Sequence, residues 1–132
     1  MKKFTFILVI LTSTAIFLTN CNSVSEASKQ GDVFYEIIKS KKFEEIIPLL
    51  DVIALDATPK EQWIRGLENN YSERGKIESF ERTGFSTSIE NDLNLIKLDY
   101  SVTYTTGTYK EQLELISRKD NFKVVTYKFS VK

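Results

Sequence analysis

The chain has 132 residues, room for one domain and not two, and its 42% apolar and 12% aromatic content is enough to bury a core. Lys plus Arg 18 against Asp plus Glu 18 leaves no formal charge, so the electrostatic footprint of a general nucleic-acid binder is missing. With no histidine and one cysteine, His-based triads, His-ligated metals, cysteine-rich zinc sites and internal disulfides are excluded, and neither a metal nor a cofactor is expected.

At the amino terminus, Lys2 and Lys3 precede Phe4 to Leu18, an apolar stretch broken only by Thr5, Thr12, Ser13 and Thr14. This is the charged n-region and apolar h-region of a secretory signal. As a helix it would reach about 22 Å, short of the roughly 30 Å hydrocarbon core, which favours a cleaved signal over a membrane span. The run Leu18-Thr19-Asn20-Cys21 resembles the lipobox of bacterial lipoproteins, in which Leu stands three residues before a Cys that is acylated and becomes the new first residue. The resemblance implies a lipoprotein signal over 1–20 and Cys21 as the site of lipid (palmitate) attachment. It also implies a place in the bacterial cell envelope, outside the cytoplasm, with leaflet and membrane left open. An uncleaved signal anchor and ordinary secretion with an incidental thiol stand as alternatives. Residues 21–31 are small and polar and predict a tether that holds a domain over 32–132 off the bilayer. Loss of residues 1–20 removes Lys2 and Lys3 and leaves 16 basic against 18 acidic side chains, so no basic patch assists the anchor.

From Asp32 the apolar residues Val33, Phe34, Ile37 and Ile38 recur at helical spacing. Phe43, Ile46, Ile47 and Leu50 repeat the pattern after Ser40, with Pro48 kinking this second helix or lying in its first turn. The third helix opens on Thr58-Pro59-Lys60-Glu61, which reads as a capping box with Thr58 at the N-cap and Pro59 first in the helix. It presents Trp63, Ile64, Leu67 and Tyr71 on one stripe and stops at Gly75. Beyond Gly75 the period becomes two. Lys76 to Ile89 is a strand bent at Gly84, where a bulge must reconcile the opposite parity of Ile77 and Phe80. Ile96, Leu98, Tyr100, Val102 and Tyr104 then alternate with Lys97, Asp99, Ser101, Thr103 and Thr105, the pattern of a half-buried strand. A turn at Thr106-Gly107 leads to a strand with Tyr109, Leu113 and Leu115 on one face. A second turn at Lys119-Asp120-Asn121 leads to Phe122–Val131, with Val125, Tyr127, Phe129 and Val131 on one side.

Three helices followed by a curved four-stranded antiparallel sheet is an α+β architecture. A Trp-bearing third helix that ends in Gly before the first strand, and a terminal strand pair with Phe122-Lys123-Val124-Val125, resemble the nuclear transport factor 2-like, or cystatin-like, superfamily, and more narrowly its small bacterial lipoproteins. The resemblance implies a cone-shaped sheet wrapped by helices, often paired into homodimers through the outer sheet face. It leaves function open, because the superfamily hosts isomerases, dehydratases, transport factors and binding modules.

An isomerase or dehydratase of this kind needs an acid or base inside the cone. Of the strand carboxylates Glu78, Glu81, Asp99, Glu111 and Glu114, one could serve only if it points inward; Asp99 lies on the polar face. Asp51 and Asp56 flank Val52-Ile53-Ala54-Leu55 and suit capping better than catalysis. Trp63, Tyr100, Tyr104, Tyr109, Tyr127 and Phe129 suit either a pocket for a small apolar ligand or plain core. Lys97, Ser101, Thr103, Thr105, Lys110, Gln112 and Glu114 make a polar outer face, solvated or pairing with a second copy. The reading is therefore a membrane-tethered, non-enzymatic binding or interaction module. Its alternatives are an enzyme using a cone-internal carboxylate with Tyr and a structural envelope component that works by dimerisation.

Overall fold

The alternation of β2, Leu93–Tyr104, sets the layering: Ile96, Leu98, Tyr100, Val102 and Tyr104 are buried, and the residues between them face out. The computed structural model describes residues 23–119 and 121–129; the signal segment 1–20, Cys21 and Val131 lie outside them. Around β2 the strands β1 (Ile77–Glu90), β3 (Gly107–Ser117) and β4 (Phe122–Phe129) form one antiparallel sheet in the order β1-β2-β3-β4. Helices precede the sheet: α1 over 23–39, a 3-10 segment Phe43–Leu49, α2 (Val52–Ala57) and α3 (Lys60–Arg74). The α+β class and the order of three helices before four antiparallel strands are as the sequence predicts. No helix among the described residues is long and apolar enough to cross a membrane.

The core is a single cluster that joins Ala27, Phe34, Tyr35 and Ile38 of α1, Ile46, Ala54 and Leu67 of the following helices, and the inner face of the sheet. Two bulges bend β1, one between Ile77 and Ser79 and one between Arg82 and Gly84. The first is the extra residue that the parity of Ile77 and Phe80 requires. Asn91 and Asp92, both at positive φ, make the two-residue turn from β1 to β2, a geometry that Asn and Asp tolerate because their short side chains bond locally. The β2–β3 turn is Thr105-Thr106, with Gly107 already paired to Tyr104, one residue earlier than the sequence suggests. Gly75 ends α3 at φ 86° and ψ −163°, a region essentially closed to other residues, and a Cβ there would meet Thr105 Oγ1.

Several boundaries differ from the sequence reading. Residues 23–31, expected as tether, are already helical, and Ala27 is fully buried. The packed stripe is Ala27, Gly31, Phe34, Tyr35 and Ile38; Val33 falls outside it and is 44% exposed. At Gly31 a Cβ would lie 2.3 Å from the Tyr100 hydroxyl, so small residues let α1 approach the sheet. Phe43–Leu49 winds as a 3-10 helix containing Pro48, and the α-helix lies further on at Val52–Ala57. The capping box does not form: Pro59 is the N-cap, without a side-chain bond, and Thr58 closes α2 by donating its N–H to the Ala54 carbonyl. In β4 a bulge opposite Glu114 and Leu115 makes Val125 the extra residue, so Val124 is the one buried.

Gly75→Ala is expected to lose about 1–3 kcal/mol of stability in urea unfolding, from backbone strain before the Thr105 clash is counted. Gly66→Ala, inside α3 with open space around the added methyl, should instead gain about 0.5–1 kcal/mol. Equal effects of the two would contradict the backbone account.

Candidate functional site

On β3 the inward positions alternate through Glu111, Leu113 and Leu115, so a carboxylate enters a face that is otherwise apolar and aromatic. The Glu111 side chain is 0% exposed. Its Oε1 accepts from the Tyr35 hydroxyl at 3.1 Å and the Tyr127 hydroxyl at 2.5 Å. Its Oε2 accepts from the Tyr104 hydroxyl at 2.5 Å and from Arg74 Nη1 at 3.4 Å. A carboxylate has about four acceptor positions, and four donors occupy them. Tyr104 in turn accepts from Asn70 Nδ2 at 3.1 Å, while the buried Asn70 Oδ1 has no partner among the described residues.

Each donor is delivered by a different element. Tyr35 comes from the packed face of α1, Tyr104 from the end of β2, Tyr127 from β4, and Arg74 from the last turn of α3. There Leu67, Asn70 and Arg74 form the buried stripe. The Arg74 carbonyl, at the helix end, accepts the Thr106 hydroxyl at 2.7 Å, the Thr106 N–H at 3.3 Å and the Thr105 hydroxyl at 3.4 Å. Its guanidinium lies 4.1 Å from the Tyr109 ring centroid, 4.8 Å from that of Phe129 and 5.7 Å from that of Tyr104. This cation–π setting disperses its charge without bulk water.

Burial pushes the Glu111 carboxyl above the usual carboxylate range, against the pull of the three tyrosine bonds and the Arg74 charge. The same burial, with the Glu111 charge added, raises the Tyr35, Tyr104 and Tyr127 hydroxyls well above an ordinary tyrosine, so they stay protonated as donors. The arrangement can hold a negative charge or a shared proton inside the fold.

Of the residues singled out in the sequence, Tyr104 and Tyr127 bond Glu111, and Tyr109 and Phe129 pack on Arg74. Tyr100 joins through Tyr35, with ring centroids 4.5 Å apart, and donates to Asp32 at 3.2 Å. Trp63 stands apart, its indole N–H directed at the Ala54 carbonyl at 3.5 Å. Neither these residues nor Glu111 line the surface grooves beside Phe85, Lys29 and Phe43. Tyr35, Asn70 and Arg74 were not expected at the site. Asp99 is exposed and accepts from Gln112 at 3.0 Å, and Glu114 pairs with Lys97 at 3.4 Å. Asp51 caps α2 by accepting from the Ile53 N–H and takes both Arg118 nitrogens at 2.7 Å. The Arg118 bonds hold its carboxyl below the usual range. Among the described residues, no group of three or more metal-ligating side chains is placed to hold an ion.

Because the folded-state pKa of Glu111 lies above the unfolded one, its contribution to stability is present below the ordinary carboxyl range, about 4.3, and is lost as pH rises through the folded value. Glu111→Gln should cost about 2–5 kcal/mol at about pH 4, since an amide nitrogen, itself a donor, replaces one of the two oxygens that meet Arg74 and three hydroxyls. The cost should shrink as pH rises, which urea unfolding from pH 4 to 8 will show. A gap that widens with pH would contradict burial as the dominant influence.

No family model and no curated protein matches the sequence. In structure, the chain is similar to a protein from Catenulispora acidiphila solved at 2.5 Å, with a TM-score of 0.59 and 11% identity over 86% of this chain and 94% of that one. At that identity the likeness is one of fold.

Proposed function

We propose that the protein is a bacterial lipoprotein, acylated at Cys21 and held in the cell envelope, whose domain is a non-enzymatic binding or interaction module of the nuclear transport factor 2-like, or cystatin-like, type. The observation that carries the non-enzymatic reading is the saturation of Glu111. Among the described residues Glu111 is the one inward carboxylate on the strands; it is fully buried, has four donors from the protein itself and lines none of the surface grooves, so a substrate has no approach to it. The helix-before-sheet order and the curved, bulged β1 support the fold reading. The signal-like stretch and the single thiol at its end support the anchor. Partners under this reading are the membrane, through the lipid, and a second copy or a small apolar ligand on the domain's surface.

A second reading, an isomerase- or dehydratase-type enzyme, is favoured by one observation: a buried carboxylate with a raised pKa sits among tyrosine hydroxyls on the inner face of the sheet. A 13C-NMR titration of the Glu111 carboxyl in the presence of small keto and hydroxy compounds separates the two. A resonance that no compound moves is expected; a saturable shift with any of them would favour the enzyme. For the anchor, the amino-terminal peptide of the natural protein should begin at an acylated Cys21, and Cys21→Ser should abolish that mass. Natural protein that keeps Met1 and an unmodified Cys21 would overturn the lipoprotein assignment in favour of a signal anchor.

A further inference from the structure

The inner face of the sheet runs on past the helices that cover it. Phe85, Thr87 and Ile89 of β1 pair with Leu98, Ile96 and Asn94 of β2, and so continue the face that carries the buried Ile96 and Leu98. Yet Phe85 is 54% exposed and Ile89 73%. Together with Val24, Leu95, Ile96 and Phe122 they line an open groove of about 520 Å³. Large exposed aliphatic and aromatic side chains clustered on one spot mark a surface that meets something apolar.

The chain supplies the argument for what that is. Ser23 and Val24, the first described residues, line the same groove, and from Ser23 onward α1 is a helix packed into the core. The 22 residues before Ser23 carry the apolar stretch Phe4 to Leu18 and the thiol of Cys21. Two residues span at most about 7 Å, whatever their conformation, and the five steps from Leu18 to Ser23 at most about 18 Å. A membrane gripped at Cys21, or by the apolar stretch itself, therefore lies beside this groove.

We infer that the exposed end of the β1–β2 sheet face is a membrane-docking surface, with Phe85 and Ile89 entering the acyl boundary of the bilayer that holds the amino terminus. The inference rests on the proposed membrane anchoring and adds to it a fixed orientation: the domain stands on the bilayer by its hairpin end. Glu90 and Asp92 flank the tip, so the attraction is apolar and does not call on anionic headgroups.

The test uses the full chain isolated from its membrane with its one tryptophan replaced, Trp63→Phe, and a reporter at the tip, Ile89→Trp. A parallel chain carries Thr108→Trp, exposed at the opposite end of the sheet. In phosphatidylcholine vesicles with lipids brominated on the upper acyl carbons, the tip reporter should be quenched about twofold, as for a side chain about 5–10 Å into the interface, and the Thr108→Trp reporter should be unchanged. Quenching should persist at high salt. A tip reporter that is unquenched while the protein floats with the vesicles would overturn the inference. So would one shielded only as protein concentration rises, which would identify a second copy as the occupant. The mass of the Cys21 peptide reads the anchor separately. If Cys21 carries no lipid and the chain does not float, its thiol is coupled to a maleimide phospholipid in the same vesicles and the quenching is read again. Docking then stands or falls independently of the natural anchor.

Discussion

One carboxylate inside an apolar sheet face constrains the rest of this molecule. Glu111 cannot leave its position without stranding Arg74, and it cannot remain there without donors, because an unsolvated carboxylate costs several kcal/mol. The donors come from α1, α3, β2 and β4, so one side chain fixes how four other elements meet at β3. A buried ion pair of this kind is weak evidence for net stability, since well-packed apolar residues often do as well. Its consequence is specificity. An apolar side chain at position 111 would tolerate several placements of α1 over the sheet, whereas two Oε1 and two Oε2 bonds admit one.

That constraint also explains the aromatic content of the core. Phe34 meets Tyr35 and Tyr127 edge-on, with ring centroids 5.6 and 5.2 Å away, and Tyr35 stacks on Phe80 at 5.3 Å. Each tyrosine supplies a large apolar body to the packing and a hydroxyl to a polar site that would otherwise be unsatisfied. Gly31 and Ala27 on α1 follow from the same requirement, because larger residues would hold the helix off Tyr100 and move Tyr35 away from Glu111. The outer face has the opposite character. Thr103 with Thr108, Lys97 with Glu114 and Asp99 with Gln112 make cross-strand pairs that leave it polar and self-satisfied.

Much of this was legible in the sequence where period and parity are unambiguous. The alternation from Ile96 to Tyr104 gives β2 and its inner face, and the clash of parity between Ile77 and Phe80 requires the bulge. The parity that places Tyr109, Leu113 and Leu115 inside places Glu111 there too, so the site's anion was readable from strand period alone. Its partners were not. Asn70 and Arg74 stand three and seven residues after Leu67 and so share its face of α3, but a polar residue on a buried stripe is revealed only by the acceptor that satisfies it. The start of α1 was hidden for a related reason: Ala27 and Gly31 bury by being small, and hydrophobic spacing does not register them. In β4 the bulge at Val125 reverses the face of everything before it, and with apolar Val124 and Val125 side by side the period does not say which of the two points inward.

The early start of α1 changes what an amino-terminal anchor can do. An eleven-residue polar tether would let the domain tumble above a bilayer, and any face could then meet a partner. With helix from residue 23, the hairpin turn at Asn91-Asp92 and the groove beside Ser23 belong to the end where the amino-terminal segment joins the domain, and so to the end nearest the proposed anchor. The turn at Thr105-Thr106 lies at the opposite end of β2, about 36 Å along the strand at 3.3 Å per residue. The buried Arg74, with the rings of Tyr109 and the half-exposed Phe129 that pack on it, sits toward that far end, beside the Glu111 cluster. If the hairpin end meets the bilayer, the polar outer sheet face and the end that carries Phe129 are among the surfaces left to face away from it. Under the proposed reading, a Glu111 that is fully buried and lines no surface groove, and a domain held in one orientation, both suit recognition better than chemistry.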